Sequence, residues 1–593
     1  MTIPLRDYFL IGDLHTAALV SSDASIDWLC LPSFDSPSVF AGLLDEKRGG
    51  AFMILADEYV THGSYLPDIP IVETVFEGKK SSFSVRDFMV PRPTEEVIAH
   101  LLVRKVTGLR GATTVRFSFA PRMRYARQKV LLRKSDVRLL RARIGERSLW
   151  LHLPLGARVR RTNNGTSAEM SVDVQEGESV AVILEYSMES RLRFQDRDLE
   201  AETVAYWREW LALGTFPTEG RELLVRSAIT LKLLQFFPSG GIIAAPTTSL
   251  PETIGGERNW DYRYVWIRDA SFVLTALSLS GYTGEAHKFF RFIEEIAEGT
   301  RECEGDACDT QVPVMYTVWG QRVPREEELR YLNGYEGSRP VRIGNGAADQ
   351  VQLDIFGSLI DAYYTLWKTG MVLSKKRRNV LLFLTRKIQH LWKSEENGIW
   401  EIRGGRRHFT YGKVMCWVGV DRAVKMAEIL GVSDEQRKAW EALREEIHEW
   451  IWEHCFDSDR GTFRQHPDTD AHDATNFLFP LVGFLDPRDP RAATMIEATR
   501  KELTVNGVFV YRYRTEDGLS GGEGAFLLCS FWMIAALASV GREREAKALL
   551  RKLERCVAPS GLMSEEIDPA TGMYLGNFPQ AFSHVGYIMA AMS

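Results

Sequence analysis

The sequence predicts an antiparallel β-sandwich followed by an (α/α)6 barrel. Three observations support this fold class: short apolar runs fill the first third of the chain, apolar residues recur at helical spacing in the rest, and irregular stretches recur about every 60 residues. The predicted domains are a sandwich over residues 1–190, a helical linker over 191–219 and the barrel over 220–593.

The sandwich prediction rests on runs bounded by Gly, Pro, Asn and Asp, with no long helical segment between them, for example 71–76, 83–90, 98–106, 114–119 and 180–186. Many short strands without helices indicate antiparallel sheets. The opening segment 12–37 is richer in polar and aromatic residues than a strand needs, and we expect it to contact a neighbouring domain.

The barrel prediction rests on six Gly-rich or charge-rich stretches, each of which precedes an apolar helix. They are centred near positions 269, 350, 410, 472, 523 and 583, at intervals of 81, 60, 62, 51 and 60 residues. A helical hairpin with its loops has about this length. Six hairpins can form an open solenoid or a closed ring. The irregular stretches are rich in Trp, Arg, Glu and His, which favours a ring whose inner helices all begin around one site.

The length and composition limit the classes of function that this chain can have. A length of 593 residues predicts two to three domains. A net charge of −6, with acids and bases interspersed, argues against a nucleic acid or a membrane as partner. No signal segment and no window of about 18 apolar residues is evident, so we expect a cytoplasmic protein.

The seven cysteines are few for this length and mostly lie in apolar helical surroundings, as expected of reduced thiols. Cys303 and Cys308 lie in an acidic loop. They could form a disulfide or half of a metal site, and the sequence leaves both readings open.

A dense run of aromatic and charged residues spans positions 259–269. Pyranose rings offer apolar faces and a rim of hydroxyl groups, so aromatic faces beside a guanidinium and a carboxylate suit a sugar pocket. The candidate substrate-binding residues in this run are Trp260, Tyr264, Trp266, Arg268 and Asp269.

Two acidic stretches have aromatic, Gly or Ser neighbours: Trp400-Glu401 and Ser564-Glu565-Glu566. Glycoside hydrolysis requires two carboxyl groups on opposite sides of the scissile bond. Trp400 is expected to raise the pKa of Glu401, as a general acid requires, whereas a polar setting is expected to keep Glu565 ionised as a base. The alternative is that either Glu is a solvated surface residue.

Other clusters of polar residues give weaker evidence for a functional site. His466, Asp468, Asp470, His472 and Asp473 are metal ligands by type, but loop carboxylates more often form turns and caps, and we expect Asp473 to cap a helix near Ala474. The glycines at 521–524 lack the context of a phosphate-binding loop, and Ser564 lacks a nucleophile elbow. We therefore predict no metal and no cofactor.

The chain resembles glycoside hydrolase family 15, which contains glucoamylases, glucodextranases and prokaryotic trehalases, over essentially its whole length. Five separated stretches carry the resemblance: 12–32 with Gly-Asp-Leu-His and Asp-Trp-Leu-Cys-Leu-Pro, 259–269, Trp400-Glu401, Ser564-Glu565 and 576–584 with Gly-Asn-Phe-Pro-Gln-Ala-Phe-Ser-His. The resemblance implies a sandwich, a helical linker and an (α/α)6 barrel that hydrolyses a terminal α-glucosyl residue with inversion.

The resemblance also implies roles for individual residues. The general acid falls on Glu401 and the general base on Glu565, with Glu566 as the nearest competitor. Trp266, Arg268 and Asp269 would hold the terminal glucose. A further Arg that contacts this sugar falls on either Arg512 or Arg514.

The implied activity is that of an exo-acting α-glucosidase of the glucoamylase type, with an oligosaccharide as substrate. Where fungal glucoamylases have Asn-Pro-Trp-Phe-Leu, this chain has Glu-Gly-Ala-Phe-Leu at 523–527, so the leaving-sugar pocket differs. Trehalase and an exo-glucosidase acting on isomaltooligosaccharides or dextran are the alternatives. A phosphorolytic relative and a non-catalytic binding protein are further alternatives, and a homo-oligomer is left open.

Overall fold

The computed structural model describes residues 2–96, 99–189, 197–299, 312–515 and 522–593. The described residues up to position 187 form strands with short connections. The strands are β1 Tyr8–Gly12, β2 Ala17–Ser21, β3 Ile26–Cys30, β4 Ser38–Ala41, β5 Phe52–Leu55, β6 Val60–Tyr65, β7 Val72–Glu77, β8 Ser82–Met89, β9 Ala99–Arg110, β10 Thr113–Phe119, β11 Arg122–Met123, β12 Gln128–Lys129, β13 Arg133–Asp136, β14 Leu139–Ile144, β15 Arg147–His152, β16 Arg158–Thr162, β17 Ser167–Val174 and β18 Ser179–Ser187.

Sixteen of these strands form two antiparallel sheets that pack face to face, and β11 pairs separately with β12. One sheet has the order β1-β2-β3-β5-β10-β17-β16, with β4 on β3, and the other has the order β13-β14-β15-β18-β9-β8-β7-β6. Buried and less buried residues alternate along β7 and β10, because side chains point to opposite faces of a strand. An apolar core that includes Phe52, Phe117 and Phe119 fills the space between the sheets. The predicted antiparallel sandwich is confirmed.

In the described residues from 197 onward, the long elements are helices. These helices are α1 Leu199–Leu211, α2 Arg221–Leu233, α3 Ile267–Leu279, α4 Gly284–Gly299, α5 Asp354–Lys368, α6 Lys375–Leu391, α7 Thr410–Lys425, α8 Ala427–Leu430, α9 Asp434–Cys455, α10 Leu478–Leu481, α11 Pro490–Leu503, α12 Leu527–Ser539, α13 Glu543–Glu554 and α14 Ala581–Met592. In the described part of these loops, short strands form four pairs and one three-stranded sheet, β27-β28-β29. The strands are β19 Val265–Trp266, β20 Met315–Tyr316, β21 Glu327–Glu328, β22 Arg342–Ile343, β23 Phe456–Asp457, β24 Thr462–Phe463, β25 Thr504–Val505, β26 Phe509–Val510, β27 Ala525–Phe526, β28 Glu566–Ile567 and β29 Tyr574–Leu575.

The helices from α2 onward form the predicted barrel. Six pairs of inner and outer elements are packed together: α3 with α4, α5 with α6, α7 with α9, α10 and its preceding 3-10 turn with α11, α12 with α13, and α14 with α2. The inner helix α14 packs on both α12 and α3, and α3 packs on α5. The last repeat thus closes onto the first, as in a ring and unlike an open solenoid.

The composition of a helix depends on whether the helix lies on the inside or the outside of the ring. The first eleven residues of α12 are all buried, as expected of a helix surrounded by protein. The outer helix α13 buries only one apolar stripe. The inner helices begin at residues 267, 354, 410, 478, 527 and 581, next to the six irregular stretches of the sequence, so these stretches gather at one end of the barrel.

The sandwich contacts the barrel through the opening segment, as expected from its composition. Trp28 is fully buried, and its indole Nε1 donates a 2.7 Å hydrogen bond to the Pro246 carbonyl. Arg263 is ion-paired with Asp261 at 2.6 Å and donates to the Ser36 carbonyl at 2.9 Å. The loop that carries the aromatic run is therefore fixed to the sandwich.

Cys30, Cys416, Cys455 and Cys529 are free and buried. The prediction for Cys303 and Cys308 lies outside the described residues. Within the described ranges, no helix is long and apolar enough to cross a membrane.

Candidate active site

One cleft of about 770 Å³ opens at the end of the barrel where the inner helices begin. Eight of the eleven residues predicted from the sequence line it: Trp260, Trp266, Arg268, Asp269, Trp400, Glu401, Arg512 and Glu565. These residues lie before or at the start of the first, third, fifth and sixth inner helices, and they meet in one cavity. Tyr264, Arg514 and Glu566 are not among the lining residues.

Glu401 lies on a tight turn between α6 and α7. Its φ of +59° is in the left-handed region, which a residue with a side chain rarely adopts. Gln350 holds the turn by donating a 3.1 Å hydrogen bond to the Glu401 carbonyl. The carboxylate accepts a 2.6 Å hydrogen bond from Trp266 Nε1, and Arg268 Nη2 lies 3.6 Å away. The side chain is partly exposed to the cleft, so it can reach a substrate.

Trp400 contributes differently than expected. Its Nε1 donates to the buried carboxylate of Asp473 at 2.9 Å, and its ring packs edge-on against Phe526. The aromatic residue that is hydrogen-bonded to Glu401 is Trp266, not the sequence neighbour Trp400. Asp473 also accepts a hydrogen bond from the Thr475 backbone N–H, which is the cap predicted from the sequence.

Glu565 also lines the cleft and is almost fully buried. Its Oε1 accepts a 2.7 Å hydrogen bond from Tyr262 Oη, and its Oε2 accepts one of 3.1 Å from the Asn577 backbone N–H. A Cβ atom at Gly576 would lie 2.3 Å from Oε2, so this position requires glycine. The chain thus encloses the carboxylate closely.

The prediction that Glu565 lies in a polar setting is wrong. The side chain is 1% exposed, and burial raises the pKa of Glu565 well above its ordinary value, with a further increase from the negative charge of Glu252. Arg512 and the hydrogen bonds from Tyr262 and Asn577 oppose this increase. A carboxylate with a raised pKa is a stronger base than a solvated one.

Trp266, Arg268 and Asp269 form one side of the cleft at the start of α3. Arg268 donates to Gln352 at 2.6 Å, and its guanidinium lies 3.4 Å from Asp354 and 3.3 Å from Asp269. Burial raises the pKa of Asp269 to about 7 although Arg268 opposes this shift. Asp269 therefore presents a buried carboxyl group at the wall of the cleft.

Two residues of the aromatic run differ from the prediction, Tyr264 in its position and Trp260 in its partners. Tyr264 is buried outside the cleft, because the backbone turns between Trp260 and Val265 and the alternation of a strand is lost. Trp260 lines the cleft, but the guanidinium groups of Arg342 and Arg403 lie 4.5 and 4.1 Å from its ring centroid. Its Nε1 donates to Glu252 at 3.0 Å. The Trp260 ring therefore stacks against two arginines, and its indole N–H is hydrogen-bonded to Glu252.

Arg512 and Arg514 are the alternatives for an Arg that contacts the sugar, and they differ in burial. Arg512 is buried at the cleft and ion-paired with Glu252 at 2.9 Å, with Glu523, and with Glu566 at 3.3 Å. Arg514 is exposed and its guanidinium packs on Tyr511. Of these two alternatives, Arg512 lines the cleft and Arg514 does not.

Glu566 lies behind Arg512 and not in the cleft. Its Oε2 accepts a 2.8 Å hydrogen bond from the Gly524 backbone N–H. Carboxylate oxygens of Glu252, Glu523 and Glu566 lie within 4.8 Å of one another, as metal ligands would, but the Arg512 guanidinium contacts all three. This arrangement is a buried ion-pair cluster in which Arg512 supplies the positive charge.

Sequence reasoning missed several residues of the cleft. Tyr262 lies in the aromatic run, two positions from Trp260, but the candidates predicted from this run include Tyr264 instead. Gln352 does not line the cleft but accepts the hydrogen bond that fixes Arg268, and it follows the irregular stretch near position 350. Glu252 and Arg258 lie in a loop with no motif of its own, and no signal in the sequence distinguishes them from surface charges.

The fold and the site can be compared with known proteins. A family model described as glycosyl hydrolases family 15 matches residues 218–592, and one described as trehalase-like, N-terminal matches residues 2–206. A protein named trehalase from Mycobacterium tuberculosis is 38% identical over 621 aligned residues, which cover 99% of this chain and 89% of that protein. A protein named trehalase from Thermoplasma volcanium is 34% identical over 589 residues, covering 98% and 92%.

Among solved structures, a bacterial glucoamylase complexed with acarbose matches with a TM-score of 0.75 at 13% sequence identity, covering 100% of this chain and 94% of that one. At this identity the likeness concerns the fold.

Proposed function

The chain belongs to glycosyl hydrolases family 15, and from this premise we propose that it is an α,α-trehalase, which hydrolyses trehalose to two glucose molecules with inversion. The observation that carries the proposal is the alignment of nearly the whole chain, sandwich included, with relatives named trehalase. The glucoamylase type expected from the sequence has support only from a likeness of fold at 13% identity.

The proposed mechanism uses the two carboxyl groups that line the cleft. Trehalose joins two glucose rings through both anomeric carbons by one oxygen. Glu401 donates a proton to this oxygen as the bond to the first glucose breaks. Glu565 accepts a proton from a water molecule whose oxygen attacks the anomeric carbon of that glucose from the opposite face. The contacts of Glu565 with Tyr262 and Asn577 would hold its lone pairs in position for this water.

The first glucose would be held by Trp266, Arg268 and Asp269. A buried guanidinium and a buried carboxyl group at the cleft wall can bind several hydroxyl groups at once, and charged hydrogen bonds are about twice as strong as neutral ones. Arg268 is itself fixed by Gln352 and Asp354, so its donors need no reorganisation on binding.

The second, leaving glucose would occupy the charged side of the cleft formed by Glu252, Arg258, Arg403 and Arg512. In trehalose both rings are non-reducing ends with free hydroxyl groups, and a charged wall can satisfy these groups. The stacking of arginines on Trp260 removes a flat apolar surface on which a longer glucan chain could extend. This polar wall supports a disaccharide substrate over a long maltooligosaccharide.

Comparison of substrates tests the proposal. The purified protein is incubated with trehalose, maltose, maltotriose and isomaltose at equal concentration, and the initial rates of glucose release are measured. We expect trehalose to be preferred by about 10²-fold or more in kcat/KM, since the polar wall fits one leaving ring. A preference for maltotriose or isomaltose would reject trehalase and support the glucoamylase or isomaltooligosaccharide alternative.

The anomers formed from trehalose test the stereochemistry separately. Inversion releases the attacked glucose as the β-anomer, whereas the leaving glucose keeps its α-configuration. Proton NMR of a fresh digest should therefore show equal amounts of α- and β-glucose before mutarotation. A digest that contains only α-glucose at early times would exclude inversion.

A further inference from the structure

Glu326 lies beside the active-site cleft without lining it, and its carboxylate contacts donors from two other segments. Its Oε2 accepts a 3.1 Å hydrogen bond from Arg403 Nη2 and another of 3.1 Å from the Gly346 backbone N–H, and its Oε1 lies 3.4 Å from Arg342 Nε. The side chain is 21% exposed, so water competes only in part for these contacts. One carboxylate therefore joins three segments at the edge of the cleft.

The two arginines held by Glu326 both lie against Trp260. The guanidinium carbon of Arg403 is 4.1 Å from the ring centroid, and that of Arg342 is 4.5 Å from it. Arg342 is buried and donates a 2.6 Å hydrogen bond to the Glu257 carbonyl. The Arg403 side chain is 36% exposed and also lines the cleft. Arg403 therefore covers part of Trp260 at the rim of the cleft.

Two guanidinium groups this close to one ring repel each other, and Glu326 compensates for the repulsion. Burial lowers the pKa of Arg342, Glu326 opposes this shift, and Arg403 adds to it. Arg403 begins a run of exposed residues, 403–407. Without the carboxylate, its long side chain would be free to turn away from the ring into solvent.

The sandwich fixes the position of Glu326. Glu326 immediately precedes β21, which pairs with β22 of the barrel. After β21, the Tyr331 hydroxyl donates a 2.7 Å hydrogen bond to the Tyr125 carbonyl, and the Asn333 backbone N–H donates one of 3.2 Å to the Asp45 carboxylate. The segment that carries Glu326 is thus held between the barrel and the sandwich.

We propose that Glu326 is a positioning residue that limits the length of the substrate. It holds Arg403 on Trp260, and the covered ring then offers no stacking surface to a third sugar ring beyond the leaving glucose. The inference rests on the proposed function, because it concerns the leaving side of the same cleft. An α-glucosyl disaccharide fills the cleft, and longer α-glucans gain no affinity from their additional rings.

A purely structural role is the alternative for Glu326. The segment that begins at Gly346 also holds the Glu401 turn, through the hydrogen bond from Gln350. Loss of Glu326 by this route would lower kcat for trehalose. Release of Arg403 would instead change the affinity for long sugars relative to short ones. The two roles therefore differ in what they predict for kcat and for the dependence of affinity on length.

Isothermal titration calorimetry measures this dependence on the full-length chain carrying Glu401→Gln, in which bound sugars stay intact. Dissociation constants are determined for maltose and for maltopentaose. With Glu326 present, we expect the two constants to agree within about twofold, whereas adding Glu326→Gln should make maltopentaose bind about fivefold or more tightly than maltose, because a third ring can then stack on Trp260.

Two further variants separate the release of Arg403 from other effects. Arg403→Gln should change the ratio of the two dissociation constants as Glu326→Gln does, and the double variant should add nothing, since both changes remove one contact. Glu328→Gln is the matched control, because it removes the same charge two residues away, from a side chain paired with Arg330 at 3.2 Å. It should keep the ratio of the unsubstituted chain. Thermal unfolding verifies that each variant is folded.

Several results would overturn the proposal. They are an unchanged ratio in Glu326→Gln, an equal change in Glu328→Gln, and additive effects in the double variant. A fall in kcat for trehalose in Glu326→Gln with an unchanged ratio would assign Glu326 to the support of the Glu401 turn instead. Failure of the proposed function is seen separately, because the rates on trehalose and maltotriose decide it, whereas the ratio of dissociation constants decides the role of Glu326.

Discussion

Tyr262 donates a 2.7 Å hydrogen bond to Glu565, although 303 residues separate them in the chain. Tyr262 belongs to the loop before the first inner helix, and Glu565 belongs to the loop before the last. Their contact spans the point where the ring closes. Burial raises the pKa of Tyr262 well above its ordinary value, so its hydroxyl stays a donor at any working pH. The last repeat of the barrel is thus joined to the first by a hydrogen bond to the proposed base.

This contact predicts opposite pH shifts for two variants. The hydrogen bond from Tyr262 lowers the pKa of Glu565, whereas the charge of Glu252 raises it. A base must be ionised to act, so the rising limb of the profile of kcat/KM against pH follows this pKa in the free enzyme. Tyr262→Phe should move the limb to higher pH and Glu252→Gln should move it to lower pH.

Tyr264→Phe is the matched control for this pair, because Tyr264 is buried nearby but does not line the cleft. Its profile should keep the wild-type midpoint. Shifts in the same direction for Tyr262→Phe and Glu252→Gln would show that Glu565 does not determine the rising limb.

Replacement of the two proposed catalytic carboxyl groups should abolish most activity without unfolding the protein. Glu401→Gln and Glu565→Gln keep the shape of the side chain but cannot transfer the required proton, and we expect kcat to fall by about 10²- to 10⁴-fold in each. Glu566→Gln is the control, since Glu566 faces Arg512 and not the cleft. Stopped trehalose assays measure kcat. A larger loss in Glu566→Gln than in Glu565→Gln would reverse the assignment of the base.

The two arginines that the sequence left undecided should behave differently. Arg512→Lys keeps the charge but loses the planar group that contacts three carboxylates, so we expect KM for trehalose to rise by about tenfold or more. Arg514→Lys, at an exposed position, should remain within about twofold of the wild type. Both variants are melted thermally to separate loss of binding from loss of folding. Equal KM values for the two would remove Arg512 from the binding site.

Asp269 should make the protein less stable as pH rises. Its ordinary pKa near 3.8 is raised to about 7 in the folded protein, so the folded state keeps a proton that the unfolded state has lost across this window. The contribution of Asp269 to the free energy of unfolding is fully present below the pKa of the unfolded state. It is lost as pH rises through the pKa of the folded state. The loss can reach about 4 kcal/mol in the free energy of unfolding.

Urea denaturation at pH 5 and pH 7.5 measures this effect. Asp269→Asn should reduce the difference in the free energy of unfolding between the two pH values, whereas Asp468→Asn, at an exposed position, should leave it unchanged. An unchanged difference in Asp269→Asn would mean that Asp269 is ionised throughout this range.

Much of the site could be predicted from the sequence because its residues lie in runs of unusual composition. Trp266, Arg268 and Asp269 adjoin the start of an inner helix, and that placement follows from helical periodicity alone. The spacing near 60 residues also predicted that six helix starts share one end of the barrel. Local patterns are sufficient here because a repeated hairpin has only one way to bury its apolar faces in a closed ring.

What the sequence by itself determined is therefore the two-domain fold, the ring of six hairpins and the identity of the two candidate carboxyl groups. Only the tertiary structure decided which neighbours these groups have. Trp266 and not Trp400 binds Glu401, Glu565 is buried beside Tyr262, and Arg512 rather than Arg514 faces the cleft. The physical reason is that burial and charge pairing depend on contacts between loops hundreds of residues apart, which no local pattern records.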